Sequence, residues 1–276
     1  MDLPGTRAVV ISPVDKGTPQ EEAVAGDASY LILLAAIHKA LKPRCYLEIG
    51  VGQGHSLALA KCPAIGVDPR PDLTVALGPQ ARVLTQTSDG FFDTTECNEL
   101  GQPPDLAFID GMHLFECALR DFMHIEALSS PTTLVVVDDI LPNHPAQAER
   151  DRRTRVWTGD VWKLFDCLRH RRGDLILLPL NSAPTGLLLI AGLNAADTTL
   201  SDRYNPILRH YRDIMAPPKE VLERTGVLPG HPEAVQSVAI ALRTARDEGA
   251  DRGAVLRCLR EVLPSAAGKY RKTKGR

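Results

Sequence analysis

No apolar run in the 276-residue sequence is long enough to span a bilayer; the longest, at 30–37 and 186–192, fall far short of the roughly 20 residues a membrane helix needs. Nor does a basic segment lead into an apolar one at the start of the sequence, so a cytoplasmic location is expected and no membrane partner. The six cysteines (Cys45, Cys62, Cys97, Cys117, Cys167 and Cys258) show no CxxC or CxxxC spacing. That absence argues against a zinc knuckle or a redox pair and leaves reduced, mostly structural thiols. No charge sign dominates: the net charge is −2, and basic residues gather only at 149–155, 169–172 and 269–276. Those clusters read as solvated runs, and a nucleic-acid partner is not expected. No internal repeat and no Gly-rich linker divides the chain.

What is present is an ordinary globular composition, 44% hydrophobic and 24% charged. Residues 1–43 read as a loose, Pro- and Gly-rich arm followed by an amphipathic helix at about 28–41, which Pro43 ends. From there short apolar runs (45–50, 64–68, 82–87, 105–110 and 133–138) alternate with helical patterns (54–61, 89–99, 114–128 and 158–170). The expected fold is α/β, a Rossmann-like, doubly wound sheet of seven strands. The sheet should be mostly parallel and end in an antiparallel hairpin, because only five residues separate the runs at 174–180 and 186–193. Residues 195–276 turn helical (203–215, 218–225, 232–247 and 251–263) and are expected as an extension packed on the sheet domain of 44–194 or used in a homodimer.

The segment from Cys45 to Ile49 runs into glycines at alternate positions, Gly50, Gly52 and Gly54, with Glu48 just before them. Glycine leaves no Cβ where a ligand approaches backbone or the chain turns sharply. The nicotinamide fingerprint G-x-G-x-x-G would need one more glycine where His55 stands, which weakens a nicotinamide oxidoreductase without removing it. Asp68 closes the second strand, where a carboxylate can accept ribose hydroxyls in either kind of enzyme.

With these residues the chain resembles the class I S-adenosylmethionine-dependent methyltransferases, whose first motif reads E-x-G-x-G-x-G and whose second strand ends in an acidic residue. The resemblance covers roughly 44–193. It implies that Gly50, Gly52 and Gly54 line the methionine part of the cofactor and that Asp68 binds its ribose. It further implies that Ser88 and Asp89 lie near the adenine and that Glu48 orients the loop.

A second constellation follows, in which Asp110-Gly-Met-His113 and, past a helix, Val137-Asp138-Asp139 each come just after an apolar strand. Carboxylates at neighbouring strand ends share the edge where open α/β sheets bind ligands, and Asp110, Asp138 and Asp139 together would repel unless a cation such as Mg2+ joins them. Aspartates at such turns also serve as helix caps, and that alternative stays open. The pattern resembles the bacterial O-methyltransferases related to the macrolide-sugar and catechol enzymes. By that likeness Asp110 also borders the cofactor, and His113, three residues on, takes the substrate proton; His144 is a competing base. The implied acceptor is a hydroxyl on a sugar, a phenol or another natural product. Arg155, Trp157 and Trp162, in the W-T-G-D-V-W segment, read either as a wall against that substrate or as packing. His38, His124, His170, His210 and His231 have no assignable partner. A non-catalytic binding protein on the same fold is the remaining alternative.

Overall fold

The computed structural model describes residues 17–263, apart from the side chains of Thr95, Glu96 and Asn98. The arm's first 16 residues and the basic tail at 269–276 lie outside them. Among the described residues no helix is long and apolar enough to cross a membrane.

The sheet grows from short apolar runs covered on both faces. Strands β1 (Tyr46–Ile49) and β2 (Ala64–Val67) are buried throughout, whereas β3 (Ala81–Leu84) forms a partly exposed edge. Strands β4 (Leu106–Ile109) and β5 (Leu134–Val137) are again fully buried, as parallel strands between helical layers require. The hairpin β6 (Ile176–Asn181) and β7 (Leu187–Ala191) joins β5 antiparallel, and β8 (Leu228–Pro229) pairs with β6. The spatial order is β3-β2-β1-β4-β5-β7-β6-β8. The sheet thus has one strand more than expected, a two-residue piece ending in proline.

Alternation along each strand sorts the side chains into two cores. Tyr46, Phe108 and Val136 join helices α1 (Tyr30–Leu41), α7 (Pro232–Asp247) and α8 (Arg252–Val262) on one face. Leu47, Ile49, Ile109 and Val137 join α2 (Ser88–Asp93), α3 (Phe115–Ala127), α4 (Trp162–Arg171) and α5 (Tyr204–Arg212) on the other. A short α6 (Lys219–Leu222) follows α5. The C-terminal extension therefore packs on both faces of the sheet, α7 and α8 on one and α5 on the other. Asp251 caps α8 by accepting a hydrogen bond from Ala254 N at 2.7 Å. Asp251→Ala should lower stability by about 1 kcal/mol, measurable by thermal unfolding.

Three helical expectations change. The helix at 54–61 is only a 3-10 turn, Leu57–Leu59, because Gly54 is left-handed (φ 85°) and the backbone is already extended at Ala60. The helix at 89–99 breaks at Thr94, whose backbone is extended, into α2 and a 3-10 segment, Thr95–Leu100. The helix at 158–170 starts only at Trp162, since Gly159 is left-handed (φ 53°). One charge cluster also differs from expectation: Arg172 is buried, paired in two-point fashion with Glu126 at 2.5 and 2.8 Å.

Candidate active site

The glycine turn leaves β1 at the C-terminal edge of the sheet. Gly50 has φ 86°, and a Cβ there would lie 1.9 Å from the Asp110 carbonyl oxygen, so β1 and β4 approach each other only through glycine. Gly52 (φ 49°) has nothing within 4 Å of its Cβ position, while at Gly54 a Cβ would press on Leu73 at 2.9 Å. Asp68 ties the turn down: its Oδ2 accepts from Val51 N at 2.9 Å and Gly52 N at 2.8 Å, and its Oδ1 from Arg70 N at 2.7 Å. Glu48 points the other way, into the α1 side of the sheet, where it accepts from Tyr46 Oη and Ser56 Oγ, each at 2.6 Å. Burial pushes its carboxyl up to about 8, against the pull of those two hydroxyls.

Above the turn opens a cleft of about 650 Å³, lined among others by Gly50, Gly52, Asp68, Ser88, Asp89, Asp110 and His113. At one end Asp89 is paired with Arg120, whose Nε and Nη2 each lie 2.8 Å from the carboxylate, and Arg120 also donates to Tyr204 Oη at 3.0 Å. Thr87 caps α2 through Gly90 N at 3.1 Å, fixing Ser88 and Asp89 in the first turn.

At the other end three side chains converge. His113 Nε2 lies 3.2 Å from Asp110 Oδ1 and 3.0 Å from Asp139 Oδ2, and one donor atom from each residue falls within 4.8 Å of the others. His113 Nδ1 is 2.9 Å from the Trp157 carbonyl oxygen, and the imidazole stacks on the Trp157 indole (centroids 5.1 Å apart, planes at 21°). Burial opposes charge on His113, but Asp139 and Asp110 outweigh it and lift the imidazole well above its ordinary range. Burial likewise raises Asp110, reinforced by Asp139 and opposed by His113. Asp138 stands outside the convergent group: it is buried, its Oδ1 accepts from Asp139 N at 2.8 Å, and burial with Asp139 and Asp110 nearby raises its carboxyl well above the usual range.

Residues 47–140, from β1 to just past β5, match a family described as "Methyltransferase domain". Over that third of its length the chain is similar to a methyltransferase domain. The sequence resemblance to class I S-adenosylmethionine-dependent methyltransferases agrees with that match and with the strand order. No curated protein matches the chain. The solved O-methyltransferase of Bacillus cereus, in complex with SAH, is 17% identical over 60% of this chain and 82% of its own, with a TM-score of 0.43. For the O-methyltransferase TomG of Streptomyces achromogenes, in complex with SAM, the identity is 17% over 58% and 78%, with a TM-score of 0.45. The SAH-bound methyltransferase PaMTH1 of Podospora anserina gives 17% over 56% and 75%, with a TM-score of 0.43.

Within the matched region and its flanks, the expected site residues separate into groups. Gly50, Gly52, Asp68, Ser88, Asp89, Asp110 and His113 share the cleft. Glu48 and Gly54 act on the turn from behind it. His144 is turned to its own backbone, its Nδ1 accepting from Ala146 N at 3.1 Å as the cap of a 3-10 turn, Pro145–Ala148. Arg155 is exposed and Trp162 is buried (2%), so the two tryptophans do not form one wall. Asp160 caps not its own helix but α3, accepting from Phe115 N at 2.7 Å. Sequence reasoning missed Tyr30, Met112, Arg120 and Asp121, all lining the cleft. Met112 lies within the Asp110-Gly-Met-His113 motif, but no motif marks the others: Tyr30 arrives from α1, and Arg120 and Asp121 from α3, through packing alone. Asp121 is buried with Oδ1 unpartnered, and burial pushes its carboxyl up to about 7.

Proposed function

We propose that the protein transfers the sulfonium methyl of S-adenosylmethionine to a hydroxyl oxygen of a small molecule, assisted by a divalent cation. The observation that carries this reading is that one cleft joins a glycine turn and Asp68 at its base to Asp110 and His113, which meet Asp139 just beyond the cleft wall. Two carboxylates and an imidazole nitrogen within bonding reach of a common point are a donor set that suits a divalent ion. Bound there, the ion would hold the acceptor hydroxyl and lower its pKa.

The remaining work belongs to the chain. The bare backbone at Gly50 and Gly52 lets the methionine end of the cofactor lie close to β1, and Asp68 offers its carboxylate to the ribose. Ser88 and Asp89, held by Thr87 and Arg120, stand at the adenine end. Placement of the methyl group against the acceptor oxygen at about 3 Å then accounts for most of the acceleration. The acceptor itself would enter past Met112, a large exposed apolar side chain beside the cluster, which fits a ring-bearing sugar, phenol or natural product.

Calorimetry tests the cofactor half. S-adenosylhomocysteine should bind with micromolar affinity in the presence of EDTA, since the glycine turn needs no metal; no measurable heat would overturn the assignment. For the metal half, transfer to a panel of phenols and sugars should stop in excess EDTA and return on adding divalent ion, and undiminished turnover in EDTA would reject it.

A further inference from the structure

The segment 157–160 neither lines the cleft nor begins α4; Thr158 and Gly159 anchor it on the Gln147 carbonyl, and Trp157, Gly159 and Asp160 bear on His113. His113 has a left-handed backbone (φ 54°), an uncommon state for a residue with a Cβ. It is held there from behind. Asp160 N donates to the His113 carbonyl at 3.2 Å, and that oxygen sits where a Cβ on Gly159 would be, at 1.8 Å. Asp160 also accepts from Phe115 N and is itself fixed by Lys163 Nζ at 2.8 Å and Arg150 Nη1 at 2.9 Å. Trp157 then sets the ring, stacking on one face while its carbonyl takes Nδ1 and its own Nε1 donates to Glu149 O at 2.6 Å.

A carbonyl can only accept, so Nδ1 carries a hydrogen, and Nε2, which faces Asp110 and Asp139, is the nitrogen that would give up its proton to an ion and bind as a lone-pair donor. A ring N–H on a backbone carbonyl is the usual outer support of a metal-bound histidine. Octahedral ligands about 2.1 Å from an ion lie roughly 3 Å from one another, which is the separation of Nε2 from Asp110 Oδ1 (3.2 Å) and from Asp139 Oδ2 (3.0 Å).

The geometry points to His113 as a metal ligand instead of the proton acceptor, with 157–160 as the strap that positions it and with a first-row transition ion preferred over Mg2+. The inference rests on the divalent-cation part of the function proposed above. A nitrogen donor is poorly matched to Mg2+, which favours oxygen, and well matched to Mn2+, Co2+ or Zn2+.

The test uses the full chain, stripped of metal and reloaded with Mn2+. Electron spin echo spectroscopy should detect a directly bound imidazole nitrogen, and the signal should vanish in His113→Asn. Calorimetry should show Mn2+ binding at least tenfold tighter than Mg2+, with that preference lost in His113→Asn. In Trp157→Ala, Mn2+ affinity should fall by about tenfold while affinity for S-adenosylhomocysteine stays unchanged. The wild-type echo needs no variant, so misfolding of a mutant cannot hide the answer. Absence of nitrogen coupling, or equal affinity for Mg2+ and Mn2+, would overturn the ligand assignment while leaving the cation reading intact. Failure of either ion to bind protein that still binds S-adenosylhomocysteine would overturn both.

Discussion

Asp139→Asn should lower metal-dependent methyl transfer by about a thousandfold and leave binding of S-adenosylhomocysteine within about threefold. Asp139 presents Oδ2 to the cluster but does not line the cleft, so its charge would matter to the proposed cation and not to the glycine turn. Removing one of two carboxylates from a divalent ion that polarises the acceptor costs several kcal/mol in the transition state, and about 4 kcal/mol is a thousandfold in rate. Asparagine is the informative replacement. Asp139 is left-handed (φ 65°), a conformation asparagine tolerates and alanine does not, so Asp139→Asn separates lost charge from backbone strain. Asp138→Asn is the companion variant. Its amide oxygen can keep the 2.8 Å hydrogen bond from Asp139 N, and because Asp138 does not point into the cluster the loss should stay below about tenfold. Turnover with saturating metal, measured beside calorimetry of S-adenosylhomocysteine, checks both. An Asp138→Asn protein as damaged as Asp139→Asn would mean that the two carboxylates share the ion after all.

The difference between those neighbours was available in the sequence. Consecutive residues at the end of a strand project to opposite sides, so Asp138 and Asp139 could not both face one cleft without a break in the chain. β1, β2, β4 and β5 were legible to within a residue because burial on both faces leaves an uninterrupted apolar run in each, whereas the partly exposed β3, expected to reach 87, ends at Leu84. β8 was not legible, since two residues ending in Pro229 carry no periodic signal. The expected helix after the glycine turn failed on a conformation that the glycines themselves announce: Gly54 at φ 85° interrupts helical backbone, and the chain is already extended at Ala60. From sequence the W-T-G-D-V-W segment reads as a wall or as packing because tryptophan often plays those parts. Its actual partner, His113, lies more than 40 positions away and depends on packing no local pattern encodes. Tyr30 was hidden for the same reason, as one apolar-looking position in an amphipathic helix.

Glu48→Gln should be more stable than the wild type at alkaline pH and no different near pH 4. In the folded protein burial lifts the Glu48 carboxyl from 4.5 to about 8, with Asp110 and Asp68 adding to the rise and the hydroxyls of Ser56 and Tyr46 opposing it. Over that interval the native state holds a proton that the unfolded chain has lost, so native stability falls as pH rises from about 4.5 and levels off above about 8. The loss amounts to a few kcal/mol, large against the 5–15 kcal/mol that a domain of this kind has in total. Glutamine copies the protonated acid, with one acceptor and one donor for the same two hydroxyls, and does not ionise. Other buried carboxyls, Asp121 and Asp138 among them, titrate in both proteins, so the difference between the two urea unfolding curves isolates Glu48. Equal stabilities at pH 9 would show that Glu48 ionises at no cost in the fold. A gap that opens between pH 5 and pH 8 would mean that the seat beneath the glycine turn is a neutral carboxyl, which burial penalises for ionising as the solution becomes basic.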